Sequence, residues 1–121
     1  MTFRQNLGNL GEDIACDFLL KNGYKIIERN FRRPYGEIDI ICRAPDKTLV
    51  FVEVKTTREG QIKAEDQLTK AKLKKLKKIA CLYAGHYPEK IFDEVGWRID
   101  LLAINFKKEN FSINYYENIV E

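Results

Sequence analysis

Two hydrophobic rhythms divide the chain. From about Arg4 to Asn22, Leu7, Leu10, Ile14, Ala15, Phe18 and Leu19 recur at three- and four-residue steps, the spacing that lines one face of a helix. Asn22-Gly23 closes it, because glycine suits the left-handed position after a helix C-terminus. Tyr24 to Phe31 is then a β-prone segment. The basic loop Arg32-Arg33-Pro34-Tyr35-Gly36 follows, and residues 37–42 (EIDIIC) make a second apolar run. The turn Ala44-Pro45-Asp46-Lys47 leads to a third strand over Thr48 to Lys55. Connections this short predict an antiparallel meander.

After a polar loop, Thr56 to Lys63, helical spacing returns from about Ala64 to Ala84. Leu68, Leu76, Ile79, Ala80 and Tyr83 share one face, and Gly85-His86-Tyr87-Pro88 is the stop. Trp97 to Ile104 reads as a buried strand and Phe111 to Tyr116 as an exposed edge strand. The order αβββαββ puts a helical crossover between the third and fourth strands, which calls for an α/β fold with a mixed β-sheet flanked by helices. At 121 residues the chain, 1–121, is expected to form a single domain.

Composition excludes disordered and fibrous classes, with 45% hydrophobic and 32% charged residues. Cys16, Cys42 and Cys81 lie far apart, without the close spacing of a zinc site or redox pair, and read as small core residues of a reduced, cytoplasmic protein. No signal-like start and no stretch of roughly 18 apolar residues is found, so neither export nor a membrane partner is expected. The net charge of +3 does not by itself imply an anionic partner. Its distribution changes the picture, since Lys70, Lys72, Lys74, Lys75, Lys77 and Lys78 fall on one helix. Such density is either a solvated face or an electrostatic footprint for nucleic acid. Arg32, Arg33 and Arg58, in loops beside the strands, are candidates to extend it. Three phosphate contacts would give binding a slope of about −2.7 against log salt on duplex DNA.

The third strand contains FVEVK, in which Glu53 and Lys55 point to the same side as Leu49 and Phe51. Alone, such a pair reads as a cross-strand ion pair. The preceding strand, GEIDII, however, places Asp39 amid apolar residues, where a lone carboxylate is costly unless paired, hydrogen-bonded or metal-bound. A short turn between the strands can bring Asp39 and Glu53 within a few ångströms. Two carboxylates about 5 Å apart repel by roughly 3 kcal/mol at an effective dielectric of about 20, so a cation or a shared proton is needed between them. Mg2+ or Mn2+, completed by water and substrate phosphate, meets that need, and Lys55 can orient or deprotonate an attacking water. The competing reading pairs Asp39 with Lys55 or Arg98. By alternation Glu37 shares Asp39's face, so the choice between them stays open.

GEIDII, a turn and FVEVK together resemble the signature of the restriction-endonuclease-like, or PD-(D/E)XK, nuclease superfamily, with Ile38 in place of the nominal proline. With GNLGEDIACDFLLKNGYKIIERNFR and TKAKLKKL, nearly the whole chain resembles the YraN-like uncharacterised protein family. The resemblance implies a restriction-endonuclease-like sheet with Asp39 and Glu53 as metal ligands and Lys55 as the catalytic lysine. By similarity to archaeal Holliday-junction resolvases, Glu12 completes the acidic cluster. It also matches Lys72 to a basic position. The expected function is a Mg2+-dependent endonuclease acting on DNA, with branched and single-stranded forms among the candidates and a homodimer compatible. The alternatives are a nucleic-acid-binding module that does not cut and a structural protein with an Asp-Glu-Lys ion-pair network. Gln67 is a lesser candidate for the site, His86 reads as a turn residue and Trp97 as a core or rim residue.

Overall fold

The computed structural model describes residues 3–120, with side chains from residue 9 onward. Leu7, expected on the apolar face of the first helix, lies outside the described side chains. That helix, α1, spans Phe3–Lys21. Ala15 and Leu19 are fully buried on its inner face, whereas Leu10, expected beside them, is 49% exposed. Gly23 follows at φ +84°, the left-handed position its place after the helix demands.

Strands β1 (Lys25–Arg33), β2 (Gly36–Arg43) and β3 (Leu49–Arg58) form the expected antiparallel meander. β4 (Trp97–Phe106) lies parallel to β3, and β5 (Phe111–Tyr116) pairs antiparallel at the edge. The sheet is therefore mixed, five-stranded and ordered β1-β2-β3-β4-β5, with the αβββαββ order the hydrophobic pattern calls for. Arg32 and Arg33 end β1 and Arg58 ends β3, so none of the three sits in a loop as expected. Strand pairing extends further than apolar content because β3 and β4 stay in register through Arg58 and Phe106.

The second helical segment is broken in two. Ala64–Gln67 is a 3₁₀ turn, and α2 spans Lys70–His86 with Thr69 as N-cap, its hydroxyl accepting the Lys72 N–H at 3.1 Å. Glu65 pins that turn to the sheet, accepting from Asn105 Nδ2 at 3.1 Å, Asn114 Nδ2 at 2.9 Å and the Tyr116 hydroxyl at 2.8 Å.

Each helix covers one sheet face. On the α1 side, Ala15 and Leu19 pack with Ile40, Val50, Val52 and Leu102; on the α2 side, Leu76, Ile79 and Tyr83 pack with Ile41, Phe51 and Ile99. Trp97 joins the second cluster, its ring 5.6 Å from that of Phe51. Cys16 and Cys42 are buried, but Cys81 is exposed, because Ala80 and Tyr83 take the inner face of α2. At Gly11 any Cβ would collide with the Thr56 methyl, so glycine lets α1 approach β3 closely and brings the next residue, Glu12, to the sheet.

Candidate active site

The β2–β3 ladder stops at Ile40↔Val52, although both strands continue. In the gap beyond it, Asp39 Oδ2 accepts the Val54 N–H at 2.8 Å, replacing the ladder bond that β2 no longer supplies. Asp39 is thus aimed along the sheet toward β3 rather than out of a face. Glu37 is exposed and stands 3.6 Å from Arg32, whereas Asp39 is the one of the two acids that bonds β3.

Glu53 enters the same gap from β3, where only 4% of the residue is exposed. Its Oε2 is buried with no hydrogen-bond partner, although the ammonium groups of Lys72 and Lys55 stand 3.5 and 3.9 Å away. Burial, followed by the adjoining Glu53 carboxyl, pushes the Asp39 carboxyl up to about 8, opposed by the Val54 N–H and by Lys72. The repulsion expected of two close acids is thus one of the causes that hold the Asp39 carboxyl above its usual range.

Glu12 reaches the gap from α1. Its Oε2 accepts from Asn30 Nδ2 at 3.3 Å and lies 3.8 Å from Arg29, whose guanidinium also bonds Asp13 at 2.9 Å. Burial raises the Glu12 carboxyl, the Asn30 bond opposes this, and the charge of Asp39 raises it again. Asp39, Glu53, Lys55 and Lys72 are therefore gathered, with Glu12 at the border. Among the described residues, no three or more His, Cys, Asp and Glu side chains are gathered as a ready-made metal cage.

The other expected residues lie outside this cluster. Lys70, Lys74 and Lys75 are exposed on α2. Arg33 is exposed over the Phe31 ring, 4.2 Å from its centroid, and Arg58 borders a separate polar cleft with Lys63 and Lys107. Gln67 donates to the Ile62 carbonyl at 3.1 Å, and His86 ends α2 beside Tyr87. Arg98, the alternative partner for Asp39, donates instead to Asp100 at 3.1 Å. Sequence reasoning missed Asn30 altogether and placed Lys72 with the phosphate contacts rather than beside Glu53. Only Asn30's residue type, one that tolerates left-handed backbone, carried a signal.

The profile of the uncharacterised protein family UPF0102 matches residues 11–104, from the glycine that docks α1 to the end of the apolar part of β4. The chain belongs to this family. UPF0102 is the YraN-like family whose motifs the sequence carries. A UPF0102 protein of Syntrophomonas wolfei is 40% identical over 115 residues, covering 94% of this chain and 96% of that one. A second UPF0102 protein, from Campylobacter concisus, is 44% identical over 112 residues, covering 93% and 91%. A structure of SfsA from Pyrococcus furiosus in complex with Ca2+ is similar at 18% identity and a TM-score of 0.37, over 98% of this chain and 65% of that one, less than two-thirds of its length. Among the described residues, no helix is long and apolar enough to cross a membrane.

Proposed function

We propose that this UPF0102 protein is a Mg2+- or Mn2+-dependent endonuclease that cuts DNA phosphodiester bonds. The observation that carries the reading is the buried Oε2 of Glu53, which accepts no hydrogen bond although Lys55 and Lys72 stand within ion-pair distance, beside a second carboxylate, Asp39. An all-oxygen pair of this kind fits a hard divalent ion that keeps open positions for water and phosphate. Asp39 and Glu53 would hold the ion, with Glu12, whose carboxyl feels the charge of Asp39, as a further candidate. Bound there, it would supply Lewis-acid polarisation of a phosphate oxygen and lower the pKa of a bound water.

Lys55 shares Glu53's side of β3, and its ammonium stands 3.9 Å from Glu53. It orients the attacking water and stabilises negative charge on phosphate oxygens. The exposed lysines of α2 attract the DNA backbone. A purely structural network would have Lys55 bridging both acids, whereas among the described residues Lys55 and Lys72 pair with Glu53 and no lysine pairs with Asp39. A binding module on the same scaffold would show salt-sensitive association without turnover.

The test is incubation of purified protein with branched, single-stranded and duplex DNA in the presence of Mn2+. Cutting is expected in at least one form, with Asp39→Ala and Lys55→Ala each lowering the rate by about a hundredfold or more. Equal cutting by wild type and both variants would sink the catalytic assignment.

A further inference from the structure

We propose that Asn30 is the positioning residue of this site: its left-handed backbone turns Asp39 toward β3, and its carboxamide holds Glu12 beside Asp39. The purpose of the site rests on the reading above, whereas its geometry does not. Asn30 has φ +53°; among the described non-glycine residues with positive φ, which also include Lys47 and Asn118, it is the one inside a strand. The β1–β2 partners run Arg29↔Ile40 and then Phe31↔Ile38, skipping Asn30 and Asp39.

Across that skipped pair the pleat inverts. Residues two apart in a regular strand share a face. Yet Arg29 bonds Asp13 of α1, whereas Phe31 packs on Tyr83 of α2 with ring centroids 5.3 Å apart. Ile40 belongs to the α1-side core and Ile38 to the α2-side core in the same way. The inversion takes Asp39 off both faces and leaves its carboxylate in the sheet plane, where it reaches the Val54 N–H. Asparagine serves both needs at once. Most side chains resist left-handed backbone, and glycine, which accepts it, carries no amide to donate to Glu12 at 3.3 Å.

Amide hydrogen exchange at Val54, measured against Leu102 as a reporter of global opening, reads the placement of Asp39 without any metal. Mn2+ calorimetry reads the assembled site. Asn30→Ala is expected to speed Val54 exchange relative to Leu102 and to weaken Mn2+ binding by about tenfold or more. Asn30→Gly, which keeps the backbone and drops the amide, is expected to retain Val54 protection while still binding Mn2+ about tenfold more weakly. A merely structural Asn30 would raise exchange at Val54 and Leu102 together, and that result overturns the proposal. Should Asn30→Ala not fold, Asn30→Gly with wild-type Mn2+ affinity overturns it alone. Wild-type protein that binds no Mn2+ refutes the metal reading, while the Val54 comparison still decides the role of Asn30.

Discussion

Asp100 and Glu53 sit on neighbouring strands, with 0% and 4% of their surfaces exposed, and point to opposite sides of the sheet. Around Asp100 every approach is filled. Arg98 Nε donates to both of its oxygens at 3.1 and 3.2 Å, the Asn118 N–H donates at 2.8 Å, and the Tyr115 hydroxyl donates to Oδ2. Arg98 is itself fixed by a 2.9 Å bond to the Tyr24 hydroxyl. Around Glu53 the second oxygen has no donor, two ammonium groups stop short of bonding it, and another acid adjoins it. A carboxylate that serves the fold alone is closed by its surroundings. One left incomplete beside a second acid is preorganised for a cation from outside the chain.

The largest expected effect breaks this contrast at its closed end. Asp100→Asn removes the buried charge that pairs half-buried Arg98, and stability to urea should fall by about 3 kcal/mol. A loss well under 1 kcal/mol would mean that the Asp100 network is not the structural extreme it is taken for here.

The same substitution at Asp39 should act in the opposite direction. Its carboxyl is raised in the fold from 3.8 to about 8, so between those values the folded chain keeps a proton that the unfolded chain has released. Stability therefore falls as pH rises through that window, at up to roughly 1.4 kcal/mol per pH unit, and the loss is complete above the folded value. Thermal melts across neutral pH should show this decline in wild type. Asp39→Asn should flatten it, and so should saturating Mn2+, which favours the ionised pair. A wild-type profile that rises with pH over the same range would contradict a raised Asp39 carboxyl.

The elements were legible because their signals are local. Alternation exposed β2, β3 and β4, and three- and four-residue steps exposed both helices. Glu53, Lys55 and Asp39 were legible as charges that an apolar strand does not need. What alternation concealed was the pleat inversion at Asn30 and Asp39, since a period of two assumes an unbroken pleat and thereby put Glu37 on an equal footing with Asp39. The start of α2 was misplaced because the 3₁₀ turn Ala64–Gln67 is held by Glu65 through contacts with β4 and β5 distant in sequence. The Asp100 network was hidden likewise, although Arg98 two residues earlier on the same strand offered a hint of it.

The smallest effect separates lysines that sequence reasoning grouped together. Lys74 is exposed on α2, whereas Lys72, one-third exposed, stands 3.5 Å from Glu53. If Lys74 meets a phosphate, Lys74→Ala should reduce the slope of log binding constant against log salt by about 0.9, with or without divalent metal. Lys72 is paired with Glu53, so Lys72→Ala should leave the slope nearly unchanged in chelator. A divalent ion on the acids weakens that hold and frees the Lys72 ammonium for phosphate, and the same variant should then lower the slope by about 0.9. Fluorescence anisotropy titrations of labelled DNA over a salt series, in chelator and in Mg2+, make the comparison. Identical behaviour of the two variants in both conditions would show that Glu53 does not govern Lys72, and the incomplete carboxylate would then have no measurable reach beyond its own pocket.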